Sequence, residues 1–429
     1  MHIVVLGAGV VGVTTAWYLR QSGHEVTVLE RNDGPAQETS YANGGQVSVS
    51  HAEPWANPAA PLKMLKWLMQ EDAPLLFRLR MDPAQWIWGL RFLMECTAAR
   101  TRHNIVQMVN LGTYSRSALQ ELRRQTGLEY DQREQGILHF YTNPKEFEGA
   151  LEPARIMREY GCDRQVIDAD EAIRIEPALR HIRDRLAGAT FTPQDESGDA
   201  RKFTVNLARK AAEAGVKFEY NTTVVGLDKS SGRIAGVRTI KEGQHGIIQG
   251  DSYVLSLGSY SPFLSRPLGI PLHIYPAKGY SITVPVDRQE DAFEVSLTDD
   301  EYKLVYSRLG DRLRVAGTAE LNGYGRELNL HRCRAIVRRA SDVLHSGGHW
   351  DQAEFWTGLR PATPSNVPYI GRTRYDNLYL NTGHGTLGWT HGCGSARALA
   401  DIVNGRVPEL DFDFTGISRP TQVAGPHQA

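Results

Sequence analysis

The chain has little of what would make it a disulfide scaffold, a zinc protein or a membrane span. Its 429 residues contain four cysteines, Cys96, Cys162, Cys333 and Cys393, widely scattered and without a C-x-x-C pair. That spacing signals neither a metal site nor a disulfide framework and makes a reducing compartment the default. No apolar run approaches about 18 residues, so no stretch reads as a bilayer-spanning helix. Neither sign of charge is in excess: 48 Lys and Arg against 49 Asp and Glu leave a net charge of −1, without the basic footprint of a nucleic-acid binder. Internal repeats and low-complexity segments are also missing. What is there, 41% hydrophobic and 23% charged residues, describes a globular protein with room for two or three domain-sized bodies.

The most informative stretch is His2 to Glu30, HIVVLGAGVVGVTTAWYLRQSGHEVTVLE. The short apolar run Ile3 to Leu6 reads as a buried strand rather than a signal peptide, since it lacks a basic flank. Gly7 permits a sharp exit from that strand, Gly9 lets backbone N–H groups of the Val10-Val11 turn approach a phosphate, and Gly12 seats the helix close on the sheet. The helix N-terminus then faces the anion. Gly23 stops the helix, and Glu25 to Glu30 alternates into a second strand. Glu30 stands where a carboxylate accepts both hydroxyl hydrogens of an adenosine ribose. The motif alone does not separate FAD from NAD; an N-terminal unit with Arg31 after the acid, and no second glycine motif of this quality, favours FAD.

Residues 32–50 lose period and gain Gly, Ser, Asn and Thr. Ser40, Asn43, Gly44 and Gly45 suit close approach to a phosphate or flavin ring, or else form a solvated connector. Residues 53–100 hold Trp55, Trp67, Trp86 and Trp88. There Leu62, Met64, Leu65, Leu68 and Met69 interleave with Lys63 and Lys66, and Leu75 to Arg80 and Trp86 to Met94 repeat the mixture. These read as basic amphipathic helices that either pack in a core or lie in a membrane interface. Helical spacing follows over 108–125, a strand over 136–142, a helix over 201–214 and strands near 216–220, 231–232 and 253–257. Strands over 273–284, 303–307 and 313–317 argue an antiparallel sheet. A strand over 378–381, a glycine-rich loop and a helix to Asn404 complete the chain.

Three further runs, SYANGGQ, KGYSITVPV and FWTGLRPATPSNVPYIGRTRYDNLYLNTGHGTLGWTHGCGS, together with the N-terminal fingerprint, resemble the D-amino-acid oxidase family of flavoproteins, within it the bacterial FAD-dependent D-amino-acid dehydrogenases and their small, catalytic subunit. The similarity covers nearly the whole chain. It implies an α/β plus antiparallel β fold: a Rossmann-like FAD-binding domain assembled from residues 1–50, 190–272 and 357–429, with an inserted α+β substrate domain from 51–189 and 273–356.

The resemblance also implies oxidative deamination of D-amino acids, D-alanine among them, to 2-oxo acids and ammonium, with electrons passing to a quinone-type acceptor. Arg360 in GLRP is then expected to hold the substrate carboxylate through a planar guanidinium, although an arginine before proline is on its own a common surface ion-pair member. Tyr302 and Tyr306 are expected to add a phenolic hydrogen bond or to pack in the sheet. Lys278 is expected near the flavin N5, and His384 as a hydrogen-bond donor beside the ring rather than a base. Gly383, Gly385, Thr386, Leu387 and Gly388 are expected to wrap the flavin, Val224 to line the adenine, and Gly258 to end a strand at the cofactor. Cys393 reads as a packed residue, and no metal is required. The alternatives are an oxidase of D-amino acids or other amines that uses O₂, and a non-catalytic flavin-binding subunit. A peripheral position on the cytoplasmic side of the inner membrane is the expected location.

Overall fold

The computed structural model describes residues 1–67, 73–289, 292–345 and 347–417. Its organising element is a six-stranded sheet in the order Tyr369–Arg372, Leu378–Thr382, Ser252–Leu255, His2–Leu6, Glu25–Leu29, Lys217–Glu219. All neighbours are parallel except the first pair. Parallel strands need crossovers that cover both faces, and both are covered. Helices Val10–Gln21, Ala200–Glu213 and Gly388–Val403 bury Val13, Leu207 and Leu399 with Val5 and Val28 on one side. On the other, the antiparallel strands Thr222–Ser230, Arg233–Lys241 and Gln244–Ile248 enclose Leu227 and Val237 with Val4 and Leu255.

The second sheet runs Glu354–Ala362, Tyr275–Pro285, Arg312–Leu321, Leu304–Leu309, Ser296–Asp299, Ile137–Tyr141, Gly188–Thr192, Gln165–Ile167. A ninth strand, Leu75–Phe77, pairs in parallel with Arg312–Leu321. Helix Leu330–Leu344 buries Cys333, Ile336 and Ala340 on one face of this sheet. The opposite face looks toward the glycine turns of the first sheet, so a cavity forms between the two.

Three sequence expectations need correction. Leu75 to Arg80 does not continue an amphipathic helix: Pro74 disfavours it, and the Pro74 carbonyl instead accepts from Ala319 N–H at 2.7 Å, opening the short strand. The tryptophan-rich region divides by residue rather than choosing one role. Trp88 is buried and donates from Nε1 to the Ala362 carbonyl at 2.9 Å, while Trp86 is half exposed. The borders at 189/190 and 356/357 cut through strands Gly188–Thr192 and Glu354–Ala362, both members of the second sheet. Leu68 and Met69, the side chains of Leu65 and Trp67, and residues 418–429 lie outside the described residues.

Candidate active site

The cavity between the sheets has a volume of about 770 Å³. Gly7, Gly9, Val10 and Val11 line one end. Gly7 has φ +103° and a Cβ there would stand 2.8 Å from the Ser256 carbonyl oxygen; a Cβ on Gly12 would stand 1.9 Å from the Gly7 oxygen. Gly12 is therefore a packing glycine behind the turn and does not itself line the cavity. Beyond Gly9 the nearest atom to a Cβ is Ser40 Oγ, at 3.5 Å, so this glycine leaves room on the cavity side.

Ser40 has a local task as well: its Oγ accepts from Val10 N–H at 3.0 Å, which caps a helix whose N-cap Gly9 has no side chain to do so. Glu30 Oε2 accepts from Ala8 N–H at 2.9 Å, and Oε1 accepts from Asn32 N–H at 2.9 Å and Asn32 Nδ2 at 2.8 Å. These bonds hold the carboxylate at the cavity wall, with Leu29 and Arg31 beside it. Arg31 pairs with Glu38 and lies 4.2 Å from the ring centroid of Tyr260. Val224 lines the same end, next to a register shift in its strand, and so does Gly258.

Asn43, Gly44 and Gly45 pass between the two sheets. A Cβ on Gly44 would stand 2.3 Å from Val305 Cγ2, and Asn43 Oδ1 accepts from Gly45 N–H at 3.0 Å. Facing them are Gly383, Gly385, Thr386, Leu387 and Gly388, with φ of +82° at Gly383 and +54° at Gly385. Helix Gly388–Val403 starts here without a capping side chain or an acid in its first turn, which leaves N–H groups for an electron-rich group. His384 is 2% exposed and its Nε2 has no hydrogen-bond partner. Burial, reinforced by His391, lowers its pKa to about 3, so the ring is neutral.

Arg360 enters from the second sheet. Its Nη1 donates to the Thr318 carbonyl at 2.7 Å and its Nη2 reaches the Gly317 carbonyl at 3.5 Å. No carboxylate pairs with it, and burial alone lowers its pKa to about 10, below the usual arginine value yet cationic at neutral pH. Among the described residues every other Arg or Lys that lines the cavity has an acidic partner: Arg31 with Glu38, Lys63 with Glu146, Arg164 and Lys303 with Asp300. An unpaired, part-buried guanidinium is a binding group for a carboxylate.

Three expected site residues stand elsewhere. Tyr306 is fully buried on the far face of its strand, with Phe140 and Phe293 at 6.4 Å between ring centroids; its neighbour Val305 faces the cavity instead. Tyr302 is 45% exposed and lies against Arg339, 4.0 Å from ring centroid to Cζ. Lys278 points away from Arg360, with Nζ 3.4 Å from Glu320 Oε2 and 3.3 Å from the Glu327 carbonyl. Successive strand residues face opposite sides, and Gly279, not Lys278, is on the cavity side. Residues not anticipated from the sequence include Gly279, Glu53 and Lys303; Glu53 precedes a Pro-Trp pair and Lys303 follows a turn, and neither local pattern signals a cavity.

One sheet that presents glycine turns for a nucleotide, and a second that aims a lone guanidinium at the same space, define a nucleotide-dependent oxidoreductase built on two sheets. The chain belongs to the FAD dependent oxidoreductase family, whose model matches residues 2–402. It is 56% identical over 415 residues to a D-amino acid dehydrogenase of Dechloromonas aromatica (strain RCB), covering 96% of this chain and 99% of that one. It is 53% identical over 422 residues to a D-amino acid dehydrogenase of Paramagnetospirillum magneticum (strain ATCC 700264 / AMB-1), covering 98% and 99%. The fold is that of glycine oxidase from Bacillus cereus ATCC 14579, with a TM-score of 0.71 at 22% identity over 94% of this chain and 95% of that one. L-proline dehydrogenase from P. horikoshii gives a TM-score of 0.74 at 19% identity over 95% and 94%.

Proposed function

We propose that this protein oxidises D-amino acids by removing a hydride from Cα, with Arg360 holding the substrate carboxylate. The observation that carries this reading is the part-buried Arg360 guanidinium, without an acidic partner among the described residues, in the cavity that holds the nucleotide turn. FAD, when bound, supplies the hydride acceptor. The cavity fits it: a Cβ-free turn at Gly9, an anchored carboxylate at Glu30, and at the other end His384 Nε2 and an uncapped helix start without partners of their own. Arg360 orients the substrate, whose amine gives up its ammonium proton to solvent before it binds. Hydride loss leaves an imino acid, and water converts it to a 2-oxo acid and ammonium.

The acceptor we propose is a membrane quinone. Supporting this, helix Pro83–Glu95 carries Trp86, Ile87, Leu90, Leu93 and Met94, each between 48% and 72% exposed, with Leu79 and Met81 just before it. A contiguous apolar stripe of this kind, with Arg80 and Arg91 exposed beside it, suits an anionic bilayer surface. No helix among the described residues is long and apolar enough to cross a membrane. Anaerobic D-alanine should bleach the yellow holoprotein, and air should restore the colour only slowly. No bleaching sinks the activity, while immediate recolouring makes the protein an oxidase. The holoprotein should float with anionic liposomes and a Leu90→Asp, Leu93→Asp variant should not; a wild type that stays in the soluble fraction removes the membrane from this reading.

A further inference from the structure

The cavity that Arg360 lines also carries a charged group of residues, called the lobe below: Glu53, His139, Tyr141, Arg164, Asp300 and Lys303. The connection runs through backbone: Arg360 donates to the Thr318 carbonyl at 2.7 Å, and Thr318 N–H donates to the Lys303 carbonyl at 3.4 Å. Both linked residues have left-handed backbones, φ +50° at Thr318 and +54° at Lys303. Such a conformation is costly for a β-branched threonine, and the surrounding sheet must hold it. From Lys303 the side chain reaches Asp300, Nζ to Oδ1 at 3.1 Å, and Asp300 Oδ2 accepts from Tyr141 OH at 2.9 Å and lies 2.7 Å from His139 Nδ1.

Most of this network is saturated. Arg164 donates to Thr190, Ser50 and Tyr141, and Asp300 has a partner on each oxygen. Two groups are not. Glu53 lines the lobe with no hydrogen bond or ion pair among the described residues, and burial raises its pKa. Lys303 uses one of three N–H donors; its side chain is 47% accessible, yet protein surrounds the ammonium closely enough that burial is the first influence on its pKa, outweighed by the fields of Asp300 and Glu53, which raise it. Lys303 also lines the cavity. The two groups interact electrostatically without touching. A donor and an acceptor line the same cavity.

Arg360 and Lys303 line the same cavity and are joined through the Thr318 backbone rather than side chain to side chain. With the carboxylate on Arg360, the part of the substrate that extends toward Lys303 is the side chain. A cationic side chain would meet Lys303 and Arg164, and an anionic one Glu53 and Asp300. A primary amide meets both unsatisfied groups with the right polarity.

We infer that this lobe receives the substrate side chain, and that Glu53 and Lys303 favour D-amino acids ending in an amide, whose carbonyl accepts from Lys303 Nζ while its NH₂ donates to Glu53. The inference rests on the proposed role of Arg360. The preference should be large, because a competitor without the amide leaves polar groups of the site unpaired.

The test uses holoprotein and kcat/KM for D-glutamine, D-glutamate, D-norvaline and D-alanine. The wild type should prefer D-glutamine over D-glutamate and D-norvaline by about tenfold or more. Glu53→Leu and Lys303→Met should each lose at least about tenfold on D-glutamine and stay within about twofold on D-alanine, whose methyl does not reach the lobe. Unchanged FAD content and melting temperature certify the variants. A wild type that prefers D-glutamate or D-norvaline, or variants that lose D-alanine and D-glutamine equally, overturn the inference. If D-alanine is oxidised normally and both variants match the wild type on D-glutamine, only the lobe assignment falls. If no D-amino acid is oxidised, the proposed activity falls with it.

Discussion

The Arg360 guanidinium fills the space that a side chain at position 279 would need: a Cβ on Gly279 would stand 2.0 Å from Nη1 and 2.3 Å from Cζ. Arg360 pairs across the ladder with Ala277, so its side chain runs diagonally over Gly279 to the Thr318 carbonyl. The missing side chain is what gives the cation its place.

Gly279→Ala should therefore displace the guanidinium while leaving the strand intact, since any L-residue tolerates this position's extended backbone. We expect kcat/KM for D-alanine to fall by about a hundredfold, the scale of a misplaced orienting group, with FAD content unchanged. Steady-state kinetics on FAD-normalised protein measures this. Wild-type kinetics in the variant would mean that Arg360 does not hold the substrate.

Arg360→Ala should cost about 2–5 kcal/mol of transition-state binding, roughly 30-fold to several thousandfold in kcat/KM, because the substrate carboxylate is left buried without a partner. Arg360→Lys should recover only part, as an ammonium cannot match both oxygens in one plane. An amine without a carboxylate is the control: it should be a poor substrate of the wild type and little affected by either change. Equal losses on both substrates would assign Arg360 to the fold or to the flavin.

Glu30→Ala should release FAD during dialysis and also lower the melting temperature. The carboxylate holds Ala8 N–H and Asn32 as well as facing the cavity, and a buried donor left unpaired costs about 1–3 kcal/mol. Full flavin occupancy after extensive dialysis would remove Glu30 from the cofactor site.

Stability should fall on mild acidification. Burial lowers the pKa of His51, His384 and His391 to about 3, and that of His24, His139 and His273 in the same direction. Between about pH 6.5 and 3 the unfolded chain binds protons at these sites that the folded one refuses. Their stabilisation is complete above the unfolded value and declines as the pH falls. Glu53, Glu176 and Asp299, raised by burial, act in the opposite sense but are fewer. Going from about pH 7.5 to about 5.5, the three most shifted histidines alone should remove roughly 4 kcal/mol, measurable as a lower urea midpoint. A midpoint independent of pH over that window would show that these rings are not held neutral.

How much was legible in the sequence depended on whether a residue's task is local. Gly12 answers to Gly7 within its own βαβ unit, so spacing alone located it, and helix Ala200–Glu213 was bounded by its own cap, with Asp199 Oδ1 accepting from Arg201 and Lys202 N–H. Lys278 and Tyr306 failed for a different reason. Both faces of their sheet are covered, one by helix Leu330–Leu344 and one by the cofactor loop, so hydrophobic alternation does not distinguish the faces, and a one-residue error inverts every side chain. Leu75–Phe77 is a strand only because Ala319 to Leu321 lies beside it. Glu53 and Lys303 line one cavity from positions about 250 apart in the chain, which no window on the sequence samples.

The strand order of the first sheet has a consequence for biosynthesis. His2–Leu6, made first, pairs with Ser252–Leu255, whose other neighbour is Leu378–Thr382. During translation the glycine turn must therefore wait, with its central strand unpaired on one side, until residue 255 has emerged, and the wall facing it until residue 388 has. Cofactor loading is in this way deferred until the strand Leu378–Thr382 and the loop after it have been made. A ribosome stalled before residue 378 would expose an apolar strand edge rather than a half-active enzyme, a species suited to aggregation and quality control.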